Sequence, residues 1–596
     1  LKRGFFAPFF VPFAPKMKLP FFLLLALFYV ALDCPAQVQM VGVNYDTLTI
    51  DYRTGGGIDS IDQIVQNSVS LLPGGGFIKP FGLSRFDFLY QHQNGIRFFD
   101  LKPYKSMRFS GLPHLGFSYV FGTAGLQQSL LNYQHAFKKG MLINLDVVRY
   151  QSNGLLRNGS FLHNDVQLQV EKKGNRYRYR LQSQYLSSNA DQSNGLFNSS
   201  EALDFDLSFL SVNKANAETR TRRGEGSFTQ FVDLLADSSK AFYLFTHHGL
   251  QIKNWKYQES SDTLSSIYSL IQFDSTETKD QFQWSSVSNG TGAALPLKNG
   301  NVQLGVYADY WNVQNLGTLR DTMEVNTRIG YDYIFPWLVI KGHSSLNIIG
   351  AGGEHRHDLA LNCPFQWFKL QGNVHYSSLW PDEFVRFGQG NHYQMNLFDP
   401  LKQQTLLAVA SLMSSLKGID VHFRFSSGTY TGHYMYDGQQ WRNDLVSRYS
   451  MQTIELQASK RWKGLTVAPR YLFSIPDKQM QLVPVHQVFT RFSLQGGIFK
   501  AKKLQAIVGM DFSWISSYER IGFVPVVSAF DFTSTVSYSG YTNIHLFGAI
   551  QIDEFKFFTR VENLGVFWTD RSLPLYLGYP IVPLQINVGI TWDFFN

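Results

Sequence analysis

From Leu584 to Phe594 every second residue is apolar. Leu584, Ile586, Val588, Ile590, Trp592 and Phe594 are separated by Gln585, Asn587, Gly589, Thr591 and Asp593. Strand side chains point alternately to opposite faces, so this segment folds with one greasy face and one wet face. The same beat recurs upstream. Val166, Leu168 and Val170 alternate with Gln167, Gln169 and Glu171, and Val302, Leu304 and Val306 with Gln303, Gly305 and Tyr307. Val508, Met510 and Phe512 alternate with Gly509, Asp511 and Ser513. The interleaved residues are mostly Gln, Asn, Gly, Ser and Asp, with few Lys. Small and amide side chains suit a confined wet lumen better than a face open to bulk water. This predicts an all-β chain forming a single transmembrane antiparallel up-and-down β-barrel in a bacterial outer membrane.

The other end carries the matching address. Met17 and Lys18 precede Leu19 to Leu32, apolar apart from Pro20, and Cys34-Pro35-Ala36 supplies small residues before Gln37. A charged start and a short apolar core read as a signal peptide over 17–36, too short to span a bilayer. Asp33 before Cys34 fits a lipoprotein site poorly. Residues 1–16, upstream of a good start Met, read as a mis-called extension. Mean hydropathy is −0.15, too polar for a helical membrane protein. A barrel hides its hydrophobicity because only alternate residues face lipid. Aromatic residues make up 15% of the chain, with 51 Phe and 30 Tyr, which suits girdles at both interfaces. Cleavage would remove Lys2, Arg3, Lys16, Lys18 and Asp33 and lower the net charge from +8 to +5, a mild excess that excludes a nucleic-acid partner from the reading. Only Cys363 would remain, so no intrachain disulfide is expected.

Residues 37–90, broken by Gly55–Gly57 and Gly74–Gly76, read as a weakly structured periplasmic lead-in. The barrel is expected over 91–596. Polar connections at 188–219, 258–266, 382–396 and 433–446 alternate with short turns such as 172–175 and 462–464. Short turns at one end and long loops at the other are the outer-membrane arrangement. Strand-like runs number about 20, within a range of 16–22, and an even count is expected.

Several stretches carry a resemblance. Ile96-Arg97-Phe98-Phe99-Asp100-Leu101-Lys102-Pro103-Tyr104 leads into Leu115-Gly116-Phe117-Ser118-Tyr119, then Ser152-Asn153-Gly154-Leu155 and Asn175-Arg176-Tyr177-Arg178-Tyr179. Gly509-Met510-Asp511, Phe523-Val524-Pro525, Val561-Glu562-Asn563, Gly578-Tyr579-Pro580 and Gly589-Ile590-Thr591-Trp592-Asp593-Phe594 follow in order. This series resembles the putative porins of the Bacteroidota over most of 90–596. The resemblance implies a large outer-membrane barrel and carries over no catalytic residue.

No phosphate-binding Gly loop and no His-Glu-x-x-His helix occurs. Glu354, His355, His357 and Asp358 are dense enough to suggest a metal, but after Gly352-Gly353 they read as a polar hairpin turn, and no metal is assigned. His343 and Ser344 are adjacent, hence on opposite strand faces, and no enzyme is expected. No cofactor is assigned either. Arginine is more informative. Arg176, Arg178 and Arg180 fall on the non-apolar face of one strand, and Arg220 and Arg222 share a face of the next. On a lipid face at mid-depth each would cost about 2–4 kcal/mol. All five are therefore expected to line the pore, either attracting anions or paired with lumen carboxylates such as Asp146 or Glu171. The expected function is passive diffusion of small hydrophilic solutes through a wet lumen. The alternative is a barrel closed by loops or by its N-terminus, acting as a specific transporter or secretion-associated component. Outer-membrane lipid is an expected partner. So is the barrel assembly machinery, reading Leu584, Ile586, Val588, Ile590, Trp592 and Phe594 on the terminal strand.

Overall fold

The computed structural model of the chain describes Ser70–Leu72, Gly76–Ile78 and, apart from short stretches within connections, residues 113–595. The signal peptide expected over 17–36 and nearly all of the lead-in expected over 37–90 lie outside the described residues. Ser70–Leu72 and Gly76–Ile78 pair as a small antiparallel hairpin.

Among the described residues, 22 antiparallel strands close into a barrel. They are β1 (His114–Gly122), β2 (Leu126–Phe137), β3 (Met141–Ser152), β4 (Phe161–Lys173), β5 (Tyr177–Asp191), β6 (Ala217–Asp233), β7 (Tyr243–Ser260) and β8 (Glu277–Leu297). Next come β9 (Gly300–Asn315), β10 (Thr318–Ile334), β11 (Val339–Ile349), β12 (His355–Pro364), β13 (Phe368–Leu379), β14 (Gln403–Leu416) and β15 (Ile419–Thr431). The circuit finishes with β16 (Arg448–Trp462), β17 (Leu465–Pro476), β18 (His486–Gly497), β19 (Leu504–Ile515), β20 (Tyr541–Ile552), β21 (Phe555–Glu562) and β22 (Gln585–Phe595). Each strand pairs with its sequence neighbours, and β22 pairs with β21 on one side and β1 on the other. No edge is left open, so every strand finds its backbone partners within the wall, as a hydrocarbon surround demands.

The two ends differ. At the end holding His114 and Phe595 the connections are tight. Lys417-Gly418 and Lys463-Gly464 make two-residue turns with positive φ at both positions (51° and 72°; 46° and 95°). That is the primed turn whose twist matches paired strands, and glycine reaches such φ without strain. At the other end most connections are long, with 192–216, 380–402 and 516–540 the largest. No helix among the described residues is long and apolar enough to cross a membrane; the strands do so instead.

The alternation sorts the wall into two surfaces. Leu250, Ile252, Val287, Leu304, Val306, Met323 and Ile329 are exposed on the outside. Asn144, Asp146, Asp165, Gln167, Gln169 and Gln184 are buried on the inside. The terminal strand follows this rule. Ile586 and Trp592 are 49% and 45% exposed, whereas Gln585, Asn587 and Thr591 are buried. Asp593 faces inward, 3.1 Å from the Lys556 ammonium, and Leu584 sits one residue before the strand begins.

Candidate functional site: the capped mouth of the lumen

At the loop end the inside of the wall at β7–β9 is covered by loops. Trp255 and Tyr257 on β7, Phe282 on β8, and Trp311 and Val313 on β9 point inward and are buried. They are covered by side chains from three loops: Phe384, Val385 and Tyr393, then Tyr434, Tyr436 and Trp441, and finally Val526 and Val527. All belong to one continuous apolar cluster.

Each loop is shaped by local chemistry. Asp382 caps a short helix, α1 (Glu383–Phe387), its carboxylate accepting from the Phe384 N–H at 2.9 Å. The same carboxylate lies 3.5 Å from the Lys253 ammonium on β7, which ties the helix to the wall. Phe384 then meets Trp255 and Phe282 edge-on, at 5.2 Å in each case, a favoured aromatic geometry. Met435–Tyr436 pairs with Trp441–Arg442, and Tyr436 pairs in parallel with Asp531 of a hairpin formed by 518–524 and 529–538. Two loops are thereby joined in one four-stranded sheet. The hairpin is launched from β19 and β20, and its tip, Val526-Val527, joins the cluster on β7–β9. In a ring of 22 strands, β8 and β19 are diametrically opposed. The cluster that holds the hairpin tip therefore links elements from opposite sides of the barrel.

Polar groups lock the apolar pieces together. Lys214, from the β5–β6 loop, places its Nζ 2.7 Å from Glu259 on β7, with both side chains almost fully buried. Tyr257 and Tyr268 each donate to the same Glu259 oxygen at 2.7 Å. Burial pulls the Lys214 pKa below its ordinary value, against the opposing attraction of Glu259. The His392 ring stacks on Tyr268 at 3.6 Å and meets Thr278 Oγ1 at 2.7 Å; burial lowers its pKa too. The Asn391 N–H donates to Asp280 on β8 at 2.8 Å. At Gly390 a Cβ would come within 2.3 Å of the Asp280 carboxylate and 2.2 Å of the Tyr393 ring, so only glycine lets the loop approach the wall this closely.

Away from this cluster the inner wall of β3–β5 is polar. Asp146 accepts from Asn132 at 2.7 Å and from Asn144 at 2.9 Å, and Gln184 donates to Asp165 at 2.9 Å. Arg491 and Arg560 converge on Asp511 across β18–β21, at 2.6 and 3.5 Å.

The arginines divide. Arg176 lies in the turn before β5 and is exposed. Arg178 and Arg180 face inward beside Gln182 and Gln184, and both are paired: Arg178 to Asp233 at 3.4 Å, Arg180 to Glu171 at 3.1 Å. Arg220 and Arg222 do not share this side. Ser188 stands opposite Thr221 and Ala190 opposite Thr219, all four on the buried inner face. Arg220 and Arg222, one residue out of phase, point outward, which corrects their assignment to the pore. The segment Thr219-Arg220-Thr221-Arg222-Arg223-Gly224 has no apolar residue to mark its lipid side, so its phase is set only by register. The Glu354–Asp358 cluster does not converge either. His355 and His357 face outward against Tyr376, whereas Asp358 faces inward onto His375 at 2.6 Å. The cap residues escaped the sequence reading because 382–396 and 433–446 looked like polar loops. The signal was their aromatic content: Phe384, Phe387 and Tyr393 in one, Tyr434, Tyr436 and Trp441 in the other.

A closed 22-strand antiparallel barrel with apolar residues outside, tight turns at one end and long loops at the other is an outer-membrane β-barrel. The chain belongs to the putative porin family, whose model matches residues 74–596. No curated protein sequence matches it. Its fold is similar to those of three solved barrels. The copper transporter OprC has a TM-score of 0.59 and 11% identity, covering 83% of this chain and 82% of that one. The siderophore receptor PirA from Acinetobacter baumannii has 0.57 and 10%, covering 82% and 81%. The F5-1 variant of the FrpB iron transporter from Neisseria meningitidis has 0.56 and 8%, covering 82% and 83%.

Proposed function

We propose that this barrel is a gated conduit. Small hydrophilic solutes would pass its polar lumen only when the loop cap is displaced, without being chemically altered. The observation that carries the reading is the hairpin over 518–538, whose tip is fully buried in the same apolar cluster as Trp255, Phe282 and Phe384 of the far side of the barrel. Water and polar solutes avoid such an apolar constriction, which acts as a gate by staying dry. A permanently open diffusion channel is the competing reading, favoured by the amide-rich wall of β3–β5.

Planar-bilayer conductance separates the two. The wild-type protein should give sparse, brief openings. A chain with 518–538 replaced by a short Gly-Ser linker should give steady ohmic current at least about tenfold larger, while still migrating as a heat-modifiable barrel. Steady wild-type current of the same size as the variant's would overturn the gated reading in favour of the open channel.

A further inference from the structure

Arg220 and Arg222, turned away from the lumen, lie on a built surface. Tracing the pairing around the outer wall, Arg149 on β3 stands opposite Asn164, Asn164 opposite Ser187, Ser187 opposite Arg222, and Arg222 opposite Asn254 on β7. One row nearer the loops, Arg220 stands opposite Lys256. One row nearer the turns, the outer face is Val166, Tyr185, Gly224 and Ile252, the upper edge of the lipid-facing band. The cations therefore sit at headgroup depth on the side where the loops emerge.

Their arrangement is electrostatically incomplete. Like charges directly opposite on one sheet face repel, yet Lys256 faces Arg220, with Arg222 on the diagonal about 7–8 Å away. Arg220 is neutralised by Glu218 at 2.6 Å. Arg149 reaches only the Gln151 amide, at 3.0 Å. Among the described residues Arg149, Arg222 and Lys256 form no ion pair, and all three are exposed. Beside Arg149, a recess of ≈ 340 Å³ is lined by Gln151, Asn189, Asp191 and Glu218 over the apolar Leu162. Its size is that of a small-ligand site. Amides and carboxylates above an apolar floor are the groups that hold sugar hydroxyls.

We propose that the outer wall of β3–β7 binds the phosphorylated headgroup of a saccharide-based lipid of the outer leaflet, with one phosphate on Arg149, a second on Arg222 and Lys256, about three strand spacings (~15 Å) away, and its sugar in the recess between them. The apolar band directly beneath would receive the acyl chains. Cations this close to an anionic lipid surface each strengthen binding several-fold.

The test uses the full-length barrel in detergent, with bound lipid read by native mass spectrometry. The probes are diphosphorylated lipid A, the same lipid stripped of phosphate, and inorganic phosphate. Wild type should retain the diphosphorylated lipid in preference to the stripped one. Arg149→Gln, Arg222→Gln and Lys256→Gln together should weaken that retention about a hundredfold with heat-modifiable migration intact. Lys256→Gln alone should weaken it about fivefold and serves if the triple variant fails to assemble, while Arg222→Lys should keep the binding. Equal retention of both lipid forms, unchanged binding in the variants, or capture of inorganic phosphate with no preference for the phosphorylated lipid would each overturn the proposal.

Discussion

The lumen side of β7–β9 at the loop end and the inner wall of β3–β5 are built on opposite principles. At the loop end Trp255, Phe282, Phe384, Tyr436 and Val527 make a core like that of a small soluble domain. On the inner wall of β3–β5, buried polar side chains pair instead, Asn144 donating to Asp146 and Gln184 to Asp165. The wall is held by the backbone ladder, which needs no filling. The cap is held by side chains, which need the wall behind them. The difference teaches that cap and wall have separate stabilities: the wall closes through β22, whereas the cap rests on packing and a few buried polar contacts. A region of low local stability on a rigid frame is the usual physical basis of a moving part.

Deleting residues 590–596 tests the wall and should have the largest effect. It removes half of the seam by which β22 joins β1 and β21. The expected outcome is loss of heat-modifiable barrel from membranes, consistent with an assembly role for this strand. Normal assembly of the shortened chain would show that closure does not depend on it.

The cap should respond locally. Lys214→Met leaves Glu259 buried without its counter-charge, a defect worth about 3–5 kcal/mol. Proteolysis within 380–402 should accelerate and channel openings should lengthen, while the barrel's gel migration stays unchanged. Lys214→Met combined with Glu259→Gln should recover much of the loss. Equal damage from the double variant would mean that packing, not charge, is what Lys214 supplies.

Acid should act in the same direction, somewhat more weakly. His433, between β15 and β16, is buried against Tyr430 and Tyr449 and meets Thr405 Oγ1 at 3.1 Å. Burial pushes its pKa from 6.5 down to about 4. An unfolded cap takes up this proton near pH 6.5 and a folded cap only near pH 4. Stability is therefore whole above pH 6.5, declines between those values, and has lost about 3 kcal/mol below the lower one. Opening frequency should rise between pH 7 and pH 4, and His433→Gln should flatten that rise. An identical profile in the variant would place the sensitivity elsewhere.

The smallest effect is expected on the inner wall. Arg178 lies beside Asp233 and under the rings of Phe231 and Tyr243, at 4.9 and 5.1 Å. With its charge already balanced, Arg178→Gln in the capless variant should move the reversal potential toward cations only slightly. A large shift would show that this pair, despite its contact, sets selectivity.

Much of this architecture was legible in the residues. The period-two pattern identified strands, the terminal run from Ile586 to Phe594 showed its own two faces, and turns such as Lys463-Gly464 against long loops gave the barrel its polarity. All are local signals, because strand alternation and turn chemistry are properties of a few consecutive residues. Two things were not legible. The first was the side on which Arg220 and Arg222 emerge: a polar strand carries no phase of its own, and only its register against Ser188 and Ala190 decides it. The second was the cap. Val527, Phe384 and Trp255 are far apart in the chain and share one buried cluster only because the ring of 22 strands sets their strands and loops around one mouth. The sequence by itself determined a membrane barrel with a wet interior; the packing of loops onto that interior at β7–β9 was decided by tertiary contacts, because no local period encodes which loops fold inward.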